Sequence, residues 1–544
     1  MVKADMLLKS NNIFDGVGDK PFAGAIAIAG NKIVDIGDAE KMKAYAAGGA
    51  RVYELGDKLV TPGFVDAHMH YFSGIFMTSK YMCPVFDCKS ETECADRLEG
   101  FAKEHPEFEQ ILGIGWQISW WGEGAALPTR HSLDARIPDR PVFVFSADGH
   151  CMWLNTKALK KTGTTPETTV RFGEICKDEN NELTGTFLDM EAIAVPSSMA
   201  FSISADEMKA LFLEFNDKLS AAGITSTTDM AVGVTSDGDT LGYQILKELE
   251  DEKKLVVRLN LYPGLGTEPD TAPADGLREK YNSDKVRIAG LKQFVDGVTY
   301  TFTAALLEPY ANNPSTKGKT FFPYETYRDC VLRANENGYG VRLHCIGDAA
   351  VKLALDVYEE SRKAGGDRPG VRNGVEHIEA LRPEDIPRFA PLGVVASMQP
   401  LHVTFNDNEK VLAVGPERAK YQWPFKSMLR AGATLAFGTD FPVVTFDPIP
   451  SLHAAVTRTN AEGKQMGSNP DEKLSLAEAI KAYTAGGAYA VGRDASLGTL
   501  KAGKLADVVV FDRNLFGIDP REILDAKVEM TLMDGEIVYE VKNA

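Results

Sequence analysis

No run of about 18 or more consecutive apolar residues occurs anywhere in this chain of 544 residues, so no transmembrane helix is expected. The beginning, MVKADMLLKSNNIFDG, lacks the apolar stretch and cleavage site of a secretory signal. Cysteine is scarce. The seven (83, 88, 94, 151, 176, 330 and 345) are an odd number in a long chain, which argues against a disulfide framework. A reducing cytoplasm is therefore the expected location. The spacing Cys83-x4-Cys88-x5-Cys94 suggests a metal knuckle but fits no common zinc motif. Positive charge is in deficit, 59 basic residues against 77 acidic, for a net charge of −18. An acidic surface repels phosphate backbones and anionic lipid, so neither nucleic acid nor membrane is an expected partner. No internal repeat and no low-complexity segment is found, which excludes solenoids and mostly disordered chains.

What is present is a globular composition, 44% hydrophobic and 25% charged. Residues 2–60 read as short strands punctuated by Gly and Asn (DMLLKS, GAIAIAG, KIVDIG, RVYELG). The last fifty or so read the same way (ADVVVFD, KVEMTLMDG, EIVYEV). The two ends, 1–60 and 494–544, are expected to pair into one small β domain. Between them, over 61–493, apolar strand-like runs alternate with helical patterns. The runs are GFVDAH (63–68), GITSTTDM (223–230), LVVRLNLY (255–262), RIAGLKQFVDG (287–297), GVRLHC (340–345), NGVEHIE (373–379), GVVASMQP (393–400) and ATLAFGTD (433–440). Continuous apolar strands joined by helices predict an α/β fold with a parallel sheet, and eight such units predict a (β/α)8 TIM-type barrel. About 150 residues separate the first run from the second, too many for a structureless loop. They hold strands of their own, ILGIGW (111–116) and PVFVFSA (141–147). Residues 75–205 are thus expected to form an inserted subdomain after the first barrel strand, over the mouth that shapes the substrate pocket.

The chemistry concentrates at strand ends. His68-x-His70 closes the first run. Residues i and i+2 of a strand share a face, so the two imidazoles converge on one point. His344 ends the fifth run, His377 the sixth, and Asp440 the eighth. Catalytic groups of such barrels come from the C-terminal ends of several strands. Imidazole with carboxylate suits zinc and related divalent ions. Singly, each residue has a plain structural reading, such as a helix cap for a strand-end Asp. Four histidines and an aspartate at the ends of four properly ordered strands do not read as packing. Lys292 stands inside the apolar fourth run, where a lysine is rarely buried without a partner. Burial beside cations favours the neutral amine, which can add carbon dioxide to give an anionic carbamate able to bridge two metal ions. The plainer reading is an ion pair with Asp296 or a side chain snorkelling to the surface.

Together VTPGFVDAHMH, SADGHCMWLNTKAL, LKQFVDG, HCIGDAA, VEHIEAL, FGTDFPV and GTLKAGKLADVVVFDRNLF resemble the metal-dependent amidohydrolase superfamily over essentially the whole chain. Within it the chain is similar to the YtcJ-like (amidohydrolase 3) family, which includes N-substituted formamide deformylase. The resemblance implies a binuclear centre, with zinc the expected ion. His68, His70 and Asp440 would hold the more buried ion and His344 and His377 the other. Lys292, carboxylated by carbon dioxide, would bridge them. It also implies that the chain ends form a small β-sandwich.

The expected activity is hydrolysis of a carbon–nitrogen bond in a small linear amide, an N-formyl or N-acyl amine, by a metal-bound hydroxide with Asp440 as general base. His150, in SADGHC, would donate to the substrate carbonyl; a structural histidine is its other reading. Trp116, Trp120 and Trp121 offer either an aromatic wall or the core of the insert. Tyr310, Gln399 and His402 are further expected substrate contacts, while Gly347 and Asp348 are expected to shape a loop and cap a helix. A homodimer is the expected assembly. Two other classes stand beside this reading. A deaminase or cyclic-amide hydrolase on the same scaffold is disfavoured by Lys292, since deaminases of this superfamily typically use one metal and no bridging lysine. A barrel that only binds is disfavoured by the full ligand set.

Overall fold

The computed structural model describes residues 3–541 apart from 48, 123, 148, 171–172, 201–203, 232–239, 367 and 405–406. The chain divides into two compact units. The first takes in the chain up to His70, Phe212–Ala231 and the long C-terminal part; the second is Tyr71–Leu211.

In the first unit, strands from the two chain ends lie in one sheet of eight strands. Met6–Ile13 pairs antiparallel with Phe22–Ala29, which pairs with Lys32–Gly37. Leu59–Pro62 runs parallel to Met6–Ile13 and antiparallel to Val508–Phe511, which continues into Val528–Met533 and Glu536–Glu540. Alternation along these strands sends Leu8, Ile26, Ile28, Val508 and Leu532 to one apolar cluster. Leu7, Ala25 and Ala27 go to another, closed by Met42 and Tyr45 of the helix Ala39–Ala47.

The central runs form two parallel sheets. Phe64–Val65, Ile224–Met230, Arg258–Tyr262 and Val286–Ile288 make one of four strands. Gly290–Phe294, Gly340–Cys345, Gly374–His377, Val395–Met398 and Thr434–Phe437 make one of five. Eight runs thus yield nine strands. The fourth run, expected as one strand, changes partner at Ala289. Before it the chain bonds to Arg258–Tyr262, after it to Gly340–Cys345. At this switch a Cβ on Gly290 would lie 2.6 Å from the Tyr262 ring, so only glycine lets the strands approach. Helices follow the later strands. Tyr324–Glu336 buries Tyr327, Cys330, Val331 and Ala334, the i, i+3, i+4, i+7 face of an amphipathic helix. Arg258, fully buried in the four-stranded sheet, bonds Asp507 and Asp534 of the chain-end sheet and joins the two layers.

The second unit is built on a six-stranded sheet, in the order Glu174–Lys177, Leu183–Leu188, Cys151–Leu154, Val142–Ser146, Ile111–Trp116, Met82–Pro84. The helix Glu91–Glu104, capped by Ser90, buries Cys94, Ala95, Leu98 and Ala102. These pack with Cys83, Cys88, Trp116 and Trp153 in one core. All seven cysteines are buried and none is in a disulfide. Burial pushes the Cys83 thiol up to about 12, so Cys83, Cys88 and Cys94 serve the core as small apolar side chains. Among the described residues no helix is long and apolar enough to cross a membrane.

Candidate metal centre

All the strand-end residues of the first unit meet at the C-terminal ends of the parallel strands. Hydrogen bonds between backbones build the floor. Ala67 N donates to Phe437 O at 3.0 Å, Asp440 N to His68 O at 2.7 Å and His70 N to Phe441 O at 2.9 Å. These bonds lace the segment after the first strand to the segment after the last. Gly438 makes the approach possible, because a Cβ there would lie 2.7 Å from His68 Cβ. Beneath them the buried Asp66 accepts from Thr439 Oγ1 at 2.7 Å and from His68 N at 3.1 Å. His377, Ile378 and Asp440 have left-handed backbones (φ 73°, 54° and 61°). For residues other than glycine such conformations cost about 1–3 kcal/mol each and gather at functional sites.

Asp440 is the hub. His68 Nε2 and His70 Nε2 each lie 3.1 Å from its Oδ1. His402 Nε2 lies 3.6 Å and His377 Nδ1 3.8 Å from its Oδ2. Ring centroids of His344 and His377 are 4.4 Å apart, and those of His68 and His377 4.9 Å. Two sets of donors lie within 4.8 Å of one another: His68, His70 and Asp440, and His377, His402 and Asp440. Lys292, in the middle of its strand, is fully buried beside the Phe294 ring, 4.9 Å from Nζ to the centroid. It does not pair with Asp296, whose carboxylate accepts instead from the backbone N–H groups of Ala305, Ile346 and Gly347.

The partners on the far side of each ring set its orientation. His68 Nδ1 meets Glu376 Oε2 at 2.5 Å, and Arg342 Nε donates to the other oxygen of Glu376 at 2.6 Å. His70 Nδ1 donates to Met230 O at 2.7 Å. His377 Nδ1 donates to Gln399 Oε1 at 3.0 Å. In a neutral ring each of these three bonds would leave the opposite nitrogen, Nε2, to carry the lone pair.

Electrostatics follow from this crowding. Burial, aided by Arg342, brings the Lys292 amine down to about 8 against the pull of Glu376 and Asp440. Burial also lowers His70, and with His344 lowers His377 well below the ordinary value, so both are neutral near pH 7. Burial opposes charge on Asp440, but His68, His70 and His377 hold it well below the usual carboxylate range.

Five buried polar atoms at this point have no partner in hydrogen-bond geometry: His68 Nε2, Lys292 Nζ, Gln399 Nε2, His402 Nε2 and Asp440 Oδ1. Orphaned polar atoms are rare in folded interiors and call for an explanation. Nitrogen and carboxylate donors converging on one spot fit divalent cations such as zinc. Glu376, Arg342 and Glu379, which support these donors, are absent from the sequence-level reading. The signal for them was present: like Lys292, Arg342 and Glu376 are charged residues inside apolar strand runs.

The remaining expected site residues fall elsewhere. Tyr310 is buried in a separate apolar cluster and its hydroxyl donates to Ala304 O at 2.8 Å, so its one polar atom is spent on backbone. Trp116 lies in the core of the second unit, with its indole N–H donating to Val144 O at 3.0 Å and Trp121 against it. In both, packing engages the ring that was expected to meet substrate. Trp120 closes the short turn Ile118–Trp120 of the second unit. His150, also in the second unit, turns Nδ1 towards Asp189 Oδ1 at 3.4 Å. Gly347 precedes the helix Asp348–Ser361, and Asp348 accepts from Leu307 N at 2.9 Å. Gln399 and His402 lie at the centre.

The sequence model of the Amidohydrolase family matches residues 51–539. Protein LONG AFTER FAR-RED 3 of Arabidopsis thaliana is 28% identical, covering 99% of this chain and 92% of its own. N-substituted formamide deformylase of Arthrobacter pascens is 26% identical, covering 98% of each. The crystal structure of an uncharacterized metal-dependent hydrolase from Pyrococcus horikoshii OT3 superposes with a TM-score of 0.76 at 27% identity, over 95% of this chain and 99% of that one.

Proposed function

This chain belongs to the Amidohydrolase family and is a hydrolase, and from that premise we propose that it cleaves the C–N bond of a linear amide, an N-formyl or N-acyl amine, at a two-metal centre. His68, His70 and Asp440 would hold one ion and His344 and His377 the other, with Lys292, as its carbon dioxide adduct, a further ligand to them. The observation that carries this reading is the convergence of buried donors from separate segments of the chain: His68 Nε2 and His70 Nε2, each 3.1 Å from Asp440 Oδ1, with the buried Lys292 Nζ that has no hydrogen-bond partner. A lysine amine near 8 and without a partner is the species that captures carbon dioxide.

The bound ions would supply an acidic water and polarise the substrate carbonyl. The rest falls to side chains of the chain. Asp440, ionised and facing His68 and His70 through Oδ1, takes the proton of the attacking water at Oδ2 and delivers it to the leaving amine. Gln399, whose Oε1 is engaged by His377, has a buried and unpartnered Nε2 with which to donate to the substrate oxygen. Glu376 and Arg342 keep His68 aimed. We further propose that the four- and five-stranded sheets are the two arcs of one eight-stranded barrel. The bonds from Ala67, His70 and Asp440 support closure on one side, and those of Lys292 with Pro263 and Leu265 on the other.

The test is elemental analysis of the purified protein combined with assays on a panel of N-formyl and N-acyl amines. About two equivalents of zinc or a related ion and turnover of at least one such amide are expected. Two ions with no hydrolysis of any linear amide would overturn the substrate class.

A further inference from the structure

The loop after strand Val395–Met398 brings one more imidazole to the centre. His402 is 4% exposed, and its Nε2 faces Asp440 Oδ2 at 3.6 Å with no hydrogen-bond partner. Its donor atom, with those of His377 and Asp440, falls inside a 4.8 Å cluster. The other edge of the ring is also provided for. His402 Nδ1 lies 3.7 Å from Glu379 Oε1, an ion-pair distance. Lys410 Nζ bonds the same oxygen at 2.5 Å and stands 4.8 Å from the Trp423 ring centroid, so the carboxylate is fixed from behind. Lys410 and Glu379 are both buried.

A neutral imidazole carries one N–H and one lone pair. A carboxylate at Nδ1 selects the tautomer with N–H there and the lone pair on Nε2. Substrate recognition through a donated hydrogen bond would require the opposite tautomer. Asp440 Oδ2 stands 3.6 Å from the other nitrogen, but with Asp440 committed to an ion, the Glu379 side decides between the two uses of this ring.

We propose that His402 is a direct ligand of the second metal ion, with Glu379 as its positioning residue and Lys410 holding Glu379 in place. The inference rests on the two-ion reading above and adds a ligand to it. It also changes the role of His402 from the substrate contact expected from sequence.

The experiment uses the full chain, stripped with a chelator and titrated with Zn2+ against a chromophoric competitor, and with Co2+ followed in the visible spectrum. Wild type takes up two ions. In His402→Ala the tighter ion binds within about threefold of wild type, while the weaker loses at least about tenfold in affinity and the Co2+ bands of that site shift. The double variant Glu379→Gln/Lys410→Met, which leaves no unpaired buried charge, loses about 10–100-fold at the same ion. If His402→Ala loses its melting transition, His402→Asn, which keeps a polar side chain, is expected to show the same selective weakening. Two ions bound as in wild type by the folded variants, with only KM raised, would overturn the proposal and restore the substrate role. A wild-type protein that binds fewer than two ions would overturn the two-ion reading itself, a failure visible before any variant is made.

Discussion

Two buried charges define the centre at the scale of single residues. Lys292 Nζ has no partner. Burying such a group without compensation costs several kcal/mol. Lys292→Met is therefore expected to leave the metal-free protein at least as stable by thermal melting. The same change should lower activity by at least about a hundredfold, and metal content with it. Lys292→Ala should regain part of its activity with added short carboxylic acids, which can occupy the place of the carbamate. Full activity in either variant would remove Lys292 from the mechanism. Glu376 presents the reverse case, because it is shared by His68 and Arg342. Glu376→Gln leaves Arg342 with an uncompensated charge in the interior and should destabilise the protein by about 3–5 kcal/mol in urea unfolding. Burial opposes charge on Glu376, but Arg342 and His68 hold its carboxyl below the usual value of 4.5. A depressed folded-state value means stability that is complete above the unfolded value and lost as pH falls. The gap between wild type and Glu376→Gln, measured without metal, should be full above about pH 4.5 and narrow below it. A gap that widens on acidification would contradict this assignment of charge.

At the scale of elements, strand ends and their loops position the donors. The segment 64–70 and the segment 434–441 are laced by backbone hydrogen bonds, and Gly438 is where they touch. Gly438→Ala forces a methyl group against His68. Overpacking of this kind costs about 1–3 kcal/mol. The expected result is a lower melting temperature together with weakened binding of the ion that His68 and His70 are proposed to hold. Normal metal content in the alanine variant would show that the loop has room to yield. The elements also mark where reading a linear pattern fails. RIAGLKQFVDG has one continuous apolar pattern but serves two sheets, because hydrogen-bond partners change at Ala289 while side-chain alternation does not. Trp116 and Tyr310 stand near chemistry-bearing motifs in sequence, yet packing claims both rings.

For the whole molecule, metal binding and folding are expected to be coupled. Ions bound only by the native state add stability of about 2.7 kcal/mol at a free concentration 100-fold above Kd. Dialysis against a strong chelator is expected to abolish hydrolysis and lower the melting temperature, and added Zn2+ to restore both. Activity indifferent to the chelator would argue against a metal centre altogether. The chain-end sheet ties in here as well. Arg258 meets Asp507 and Asp534, so the last strands bear on the sheet that carries the centre.

The linear chain already determined which residues are chemically able to form the centre. A His-x-His pair, strand-end histidines and an aspartate, and a lysine in an apolar run are visible because period-two alternation and strand ends are local properties. The same locality makes the paired chain ends and the alternation of strand and helix legible. Which donors meet was decided only by tertiary structure. His402 and Glu379 come from different loops, and Arg342 reaches Glu376 across neighbouring strands. Distances between loops, and the orientation that a ring takes from its far-side partner, depend on how strands curve and pack, and no local pattern in the chain encodes them.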